Sequence, residues 1–305
     1  TWPVHSKNLR CGDLLGDRPR GRAALAAPTQ KHRFLLALAA ATLASCSNYQ
    51  KILKSDDTAA KYNAADSLYQ AGKYKKALKL MEQIVPAYRG KPQAERLMYI
   101  YANTFYNLED YYLAGYQFER FATSYPQSDS VEVASYRSAR SYYELSPRFS
   151  LDQEDTRLGL EKLQGFINNY PNSEYRIEAN SLVNELRGKL EKKDYEIAMQ
   201  YLNIAEYLNS YVPAIEAFEN FIVDHPGSEY RKAVFYGRLE AGYKRAITGV
   251  PSELQERLLT AKGFYNSFDK YYKNDTSEYK TKADEILQEI NARLVVEEEV
   301  EESTR

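Results

Sequence analysis

Past Cys46 the sequence has no further cysteine, no tryptophan and a single histidine, His225, and each shortage removes a class of chemistry. With Cys11 upstream, a chain that starts at Cys46 has one thiol and cannot form a disulfide within itself. One imidazole with so few thiols makes zinc sites and His-assisted nucleophiles hard to build, and there is neither a G-x-S-x-G elbow nor a glycine-rich phosphate loop. Glu109-Asp110 and Glu154-Asp155 fall at turns or helix starts, where carboxylates suit helix N-termini better than acid/base work. The only tryptophan, Trp2, lies upstream of Cys46, which disfavours stacking on a sugar. Glycine and proline are scarce, 14 and 11 in 305 residues, against 44% hydrophobic and 27% charged. That balance points to an all-α chain. Net charge is −1, and residues 1–45 hold seven Lys/Arg against two Asp/Glu, so the remainder is acidic and unsuited to nucleic acid. The longest apolar run, Phe34 to Leu43, is ten residues, too short to cross a bilayer. No enzyme activity, cofactor or metal is expected.

What is abundant is tyrosine, 28 residues, a ring that packs its body on a helix while keeping its hydroxyl wet. Leu97 to Pro126 reads as two amphipathic helices joined at Asn107-Leu-Glu-Asp110: Tyr101, Ala102 and Phe105 recur with helical spacing on the first, Ala114, Phe118 and Phe121 on the second. Ala114 with bulky residues four and seven later and Pro126 is half of a tetratricopeptide pattern. The pattern returns at Ala77, Gly159, Ala214 and Ala261, with uneven steps of 37, 45, 55 and 47 residues. The expected fold is an all-α, tetratricopeptide-like α-solenoid of about five degenerate helix-hairpin repeats. Units one to three occupy 58–173, with an insertion at Ser146 to Asp152. Units four and five and a final helix occupy 174–296, with two helices, Glu178–Leu190 and Tyr195–Leu208, ahead of the second helix of unit four. Residues 297–305 read as an acidic disordered tail.

Ahead of the repeats, Lys31-His-Arg33 and the apolar run lead into Leu43-Ala-Ser-Cys46. Basic, apolar and small-residue segments in that order form a secretory signal, and the last four residues resemble the bacterial lipobox. Cys46 is the expected lipidation site, 46–57 a lipid-anchored tether, and 1–45 an upstream extension plus signal peptide. No Asp follows Cys46, so the expected address is the outer membrane, on its periplasmic face.

The units close on a second signature: Tyr125-Pro-Gln-Ser128, Tyr170-Pro-Asn-Ser173 and His225-Pro-Gly-Ser228. Proline stops one helix and serine is expected to cap the next; His225, in the aromatic slot, is read as packing. With the lipobox, the F-x-x-F pairs (Phe118 and Phe121, Phe218 and Phe221) and the helix Leu186-Arg-Gly-Lys-Leu-Glu-Lys-Lys-Asp-Tyr195-Glu-Ile-Ala198-Met-Gln-Tyr201, the chain resembles the BamD family from Cys46 to about Leu294. These are tetratricopeptide lipoproteins of the outer-membrane β-barrel assembly (BAM) complex. Glu191 departs from the family's alanine. The resemblance implies a non-catalytic scaffold that holds a BamA-type barrel protein through its POTRA domains and reads the C-terminal signal of unfolded outer-membrane proteins. Other envelope systems with tetratricopeptide lipoproteins, and lipid-anchored glycan-binding proteins, are the alternatives.

Aligning the first helices on Ala65, Ala102 and Ala139 puts Tyr62, Tyr99 and Tyr136 three residues before the alanine and Tyr69, Tyr106 and Tyr143 four after it. Seven residues apart is one helix face, so the expectation is a two-column tyrosine groove for an extended peptide. Asp66, Asn103 and Arg140 lie between the columns, with Asn103 and Arg140 available to bond the peptide. By the resemblance, the barrel protein meets the C-terminal units, where Tyr236, Arg238, Tyr243, Lys244 and Arg245 are read as the partner-binding set, the basic groups exposed.

Overall fold

The computed structural model describes residues 48–303, so the lipobox, Cys46 and everything before them lie outside the described residues. Helix α1 (48–54) belongs to a first compact unit and all that follows Asp57 to a second. The second unit contains α2 (Thr58–Gln70), α3 (Tyr74–Ile84), α4 (Ala94–Asn107), α5 (Tyr111–Ser124), α6 (Val131–Glu144), α7 (Glu154–Asn169), α8 (Arg176–Ile204), α9 (Val212–Asp224), α10 (Arg231–Thr248), α11 (Leu254–Tyr272) and α12 (Glu278–Ser303). No strand occurs among the described residues. From α2 onward each helix packs on its successor, and first helices of successive repeats also touch, α2 on α4, α6 on α8, α8 on α10. This is a tetratricopeptide-like solenoid.

Local chemistry sets the hairpins. Asp57 caps α2 by accepting the amides of Ala59 and Ala60 at 2.9 Å. Gly72, at φ 68°, closes that helix in the left-handed conformation, which lets the Lys73 amide reach the Leu68 carbonyl at 2.8 Å. Between α4 and α5 Glu109 takes φ 62° and Asp110 caps the next helix. The F-x-x-F rings Phe118, Phe121, Phe218 and Phe221 are at most 2% exposed and form the centres of their cores.

The unit ends are repeated structures. Tyr125, Tyr170 and His225 terminate α5, α7 and α9 with φ near −130° and ψ near 60°, each ring against the phenylalanine four residues earlier. His225 packs on Phe221 and meets Asp194 at 2.8 Å. The serines do not cap the next helix as expected. Ser128, Ser173 and Ser228 accept the amide two residues on, at 3.1, 3.1 and 3.2 Å, which makes a local turn.

Two further expectations are corrected. The break between Leu190 and Tyr195 is absent, because α8 runs unbroken for 29 residues. Its Lys-Leu-Glu-Lys-Lys stretch consists of good helix formers, and Gly188 alone is too weak a breaker. That length has a use: Lys193 donates to the Leu151 carbonyl at 2.6 Å, Lys189 to Ser146 Oγ at 3.2 Å, and Lys192 lies 4.4 Å over Phe149, so α8 straps down the 146–152 insertion. Gln153, 1% exposed, holds the same loop from inside through the carbonyls of Arg148, Leu151 and Asp152. At the other end α12 continues to Ser303 rather than stopping at Val296 before a disordered tail, since nothing in Val-Glu-Glu-Glu breaks a helix.

Candidate functional site

The 37-residue register brings the tyrosines onto one layer of first helices, but they are not six equal open rings. Tyr62 stacks on Tyr88 at 5.2 Å, and Tyr99 meets the edges of Phe118 and Phe121 at 6.1 and 5.5 Å. Tyr136 is only 6% exposed, sandwiched on Tyr175 at 4.5 Å and tilted on Phe166. In the second column Tyr69 lies edge-on to Tyr74 and Tyr106 to Tyr111, while Tyr143 donates to Glu185 at 2.8 Å. Burial pushes the Tyr136 and Tyr143 phenols up to about 12, so both remain protonated donors at neutral pH.

The residues between the columns act together. Asp66 pairs with Arg96 at 2.7 Å, Asn103 Oδ1 accepts from Arg137, and Arg140 donates to Glu178. Residues stepped by 37 therefore each bridge to the next first helix in line. This corrects the expectation that Asn103 and Arg140 are open to a ligand. Asn103 is 1% exposed, and Arg140 is held by Glu178 and, at 3.1 Å, by Glu144.

The bridges differ in charge. Arg96 and Arg140 face carboxylates, whereas Arg137 faces the neutral Asn103 amide and makes no ion pair among the described residues. Its guanidinium lies 5.9 Å from the Tyr106 ring. Burial raises the pKa of Tyr69, and the Arg137 charge opposes that rise, so this cation is felt across three first helices, α2, α4 and α6. Arg137 is thus a half-buried guanidinium beside the Tyr106 ring with no carboxylate partner among the described residues, a group whose planar donors match a carboxylate in geometry. Sequence reasoning missed it because 37 residues earlier the register holds Ile100. The available signal was its place one turn ahead of Arg140 on the same face.

In the C-terminal set the structure separates buried from accessible groups. Arg238 has a side chain 12% exposed, lies 5.2 Å from Phe235 and 4.7 Å from Phe264, and leaves its Nε unpartnered. It is not an exposed basic group: the aromatic rings draw its flat guanidinium into the α9–α11 side, and burial lowers its pKa. Tyr243 is 7% exposed, donating to Glu289 and accepting from Arg293 at 3.2 Å. Tyr236 tilts against Tyr279 at 5.5 Å and burial pushes it up to about 12, while Lys244 is paired with Glu240 at 2.8 Å. Arg245 remains. Its side chain makes no ion pair among the described residues and lines a cavity of about 440 Å³ with Asn209, Ser210, Thr248 and Arg257. Beside that cavity runs an apolar strip that sequence reasoning did not single out: Ile197, Tyr201 and Ile204 on one side of α8, then Tyr207, Leu208 and Val212, all exposed and Tyr207 92% so. Exposed apolar side chains grouped in this way are the kind of feature found at contact surfaces.

No cluster of three or more His, Cys, Asp or Glu able to hold a metal, and no helix long and apolar enough to cross a membrane, occurs among the described residues. A model of the YfiO family, described as outer membrane lipoprotein, matches residues 54–210. The chain is 28% identical over 123 residues to the outer membrane protein assembly factor BamD of Caulobacter vibrioides, spanning 40% of this chain and only 39% of that protein. The protein of the same name from Rickettsia prowazekii is 26% identical over 185 residues, 60% of this chain and 70% of that one. Among solved structures, a MamA RS-1 double mutant aligns at 16% identity and TM-score 0.32, covering 71% of this chain and 98% of its own. A Podosopora anserina putative kinesin light chain with TPR-like repeats aligns at 14% identity and TM-score 0.29, covering 73% and 100%.

Proposed function

We propose, from the premise that this chain belongs to the YfiO family of outer membrane lipoproteins, that it is a non-catalytic, lipid-anchored scaffold of outer-membrane β-barrel assembly. Cys46 carries the lipid and holds the chain to the periplasmic face of the outer membrane. Units one to three take the C-terminal end of an unfolded outer-membrane protein, with Arg137 receiving its carboxylate. Tyr69, Tyr99 and Tyr106 supply aromatic surface around it, with Tyr62, Tyr136 and Tyr143 shaping the layer from more packed positions. The C-terminal units hold the POTRA domains of a BamA-type barrel protein through Arg245 and the apolar strip on α8. Tyr236, Arg238, Tyr243 and Lys244 keep α10 in place behind that surface.

The observation that carries the reading is the charge of the three bridges: two are ion pairs and the middle one leaves Arg137 uncompensated among tyrosines. Affinity purification from detergent-solubilised membranes tests the assignment as a whole. Recovery of an Omp85-type barrel protein supports it, and recovery of a glycan transporter or another envelope machine in its place refutes it. Arg245→Glu combined with Tyr207→Ala alters one half-buried side chain at a cavity wall and one exposed ring, neither of them a core residue. It is expected to weaken capture of the cognate POTRA domains by about a hundredfold, the scale of losing a charged and an aromatic anchor together. Undiminished capture would remove Arg245 and the α8 strip from the interface.

A further inference from the structure

The overall charge of −1 conceals a strong asymmetry. Residues 48–92 carry nine Lys/Arg against four Asp/Glu, whereas residues 93–305 carry 25 against 36. The basic end is the first repeat. Its centre is α3, whose Ala77, Leu80, Met81 and Ile84 are buried while Lys75, Lys76 and Lys79 stand exposed opposite them, with Lys73 exposed at the turn before it. Lys75 and Lys79 are one turn apart and share a face. Lys73, Lys75 and Lys79 make no ion pair among the described residues. The single carboxylate of α3, Glu82, turns elsewhere: burial raises the Tyr101 pKa and Glu82 adds to it, which puts that acid beside α4. The lysines also border a recess of about 450 Å³ lined by Gly72, Tyr74 and Leu108.

We infer that the exposed side of α3 docks on an anionic phospholipid surface. Charge complementarity argues for it, since phosphodiester headgroups meet Lys73, Lys75 and Lys79, three exposed lysines that make no ion pair among the described residues. Covalent reach argues for it as well. The twelve residues from Cys46 to Thr58 span at most about 40 Å even when fully extended, so a lipid on Cys46 confines the first repeat to the neighbourhood of the bilayer. The inference rests on the lipid-anchored reading for that nearness. The acidic remainder of the chain, repelled by the same surface, would be directed away from it, leaving the Arg245 face open to a partner.

The test uses the full chain with Cys46→Ser, so that no acyl chain contributes, and measures co-sedimentation with vesicles containing phosphatidylglycerol and with vesicles of phosphatidylcholine alone. Binding is expected only to the anionic vesicles and is expected to fall steeply with salt. Lys73→Glu, Lys75→Glu and Lys79→Glu together should reduce it by at least about a hundredfold, about fivefold for each lysine lost from the surface. Circular dichroism should be unchanged, because none of the three is buried. Equal partition onto both vesicle types, or undiminished binding by the triple variant, overturns the inference. So does a triple variant that binds vesicles normally but loses an acidic protein from the purified assembly, which would assign the patch to that partner. Intact mass of the wild-type mature N-terminus reports separately on the lipid at Cys46. If Cys46 is unmodified the anchored reading fails, and vesicle binding by α3 stands or falls on its own measurement.

Discussion

Arg137→Glu is expected to lower affinity for a peptide ending in a free, aromatic-flanked carboxylate by at least about a hundredfold. Loss of one charge-assisted hydrogen-bond pair accounts for roughly 1.5–3 kcal/mol, and the introduced glutamate adds repulsion. The decisive quantity is the ratio of affinities for the free-acid peptide and its C-terminal amide. Wild type should prefer the acid by at least about tenfold, and Arg137→Glu should abolish or invert the preference. A merely structural Arg137, one that fastens α6 to Asn103 on α4, predicts something else. Removing it would leave the Asn103 side-chain Oδ1, on a residue 1% exposed, without its partner, at a cost of about 1–3 kcal/mol in stability, with the ratio untouched. Arg140→Ala is the control. That guanidinium already faces Glu144 and Glu178, so its loss should lower the melting temperature and leave the preference for the acid intact. If Arg140→Ala erases the preference and Arg137→Glu does not, the receptor has been placed on the wrong turn of α6.

The contrast between those two arginines also shows what the sequence could reveal. Apolar spacing is local, so hairpins, F-x-x-F cores and tyrosine register could be read directly: Ala102 and Phe105, or Ala114 and Phe118, need only their own helix to define a buried face. The alternation of Tyr125, Tyr170 and His225 at unit ends was legible for the same reason. Which cation stays uncompensated is a long-range property. Arg140 is neutralised by Glu178, 38 residues away, and Arg238 is drawn into the interior by Phe264, 26 residues away. No helical period encodes those meetings. The unit-end serines were misassigned because the next helix starts later than the pattern suggests: its N-cap is Ser130, Tyr175 or Tyr230, two residues beyond the serine, whose hydroxyl accepts that residue's amide in a turn. The continuity of α8 was misread for a different cause: a polar run looks like a linker until neighbouring loops give its lysines something to hold.

The largest effect on stability is expected where the motif ring Phe218 meets Gly237. Phe218 is fully buried, and Phe218→Ala should destabilise the C-terminal units by about 3–5 kcal/mol through lost burial and the cavity left behind. Gly237, on α10, is the reason the ring fits. A Cβ built there would lie 2.6 Å from Phe218 Cζ and 3.0 Å from both Cε atoms. Gly237→Ala therefore forces a caged ring to move, costing about 1–3 kcal/mol despite alanine's better helix propensity. Gly263→Ala, on α11 with nothing within 4 Å of the added carbon, should instead stabilise by roughly 0.5–1 kcal/mol. The Phe218→Ala/Gly237→Ala double variant discriminates further. Once the ring is gone the new methyl has room, so the two costs should fall short of additivity by at least about 1 kcal/mol; strict additivity in urea denaturation would mean that the close approach is not what selects glycine. Because repeats contact only their neighbours, hydrogen-exchange protection in Phe218→Ala should fall in α9 and α10 and persist in α4 and α5. The same variant should then lose POTRA capture while keeping the acid-over-amide preference set by Arg137, which would assign the two binding faces to separately unfolding ends of one solenoid.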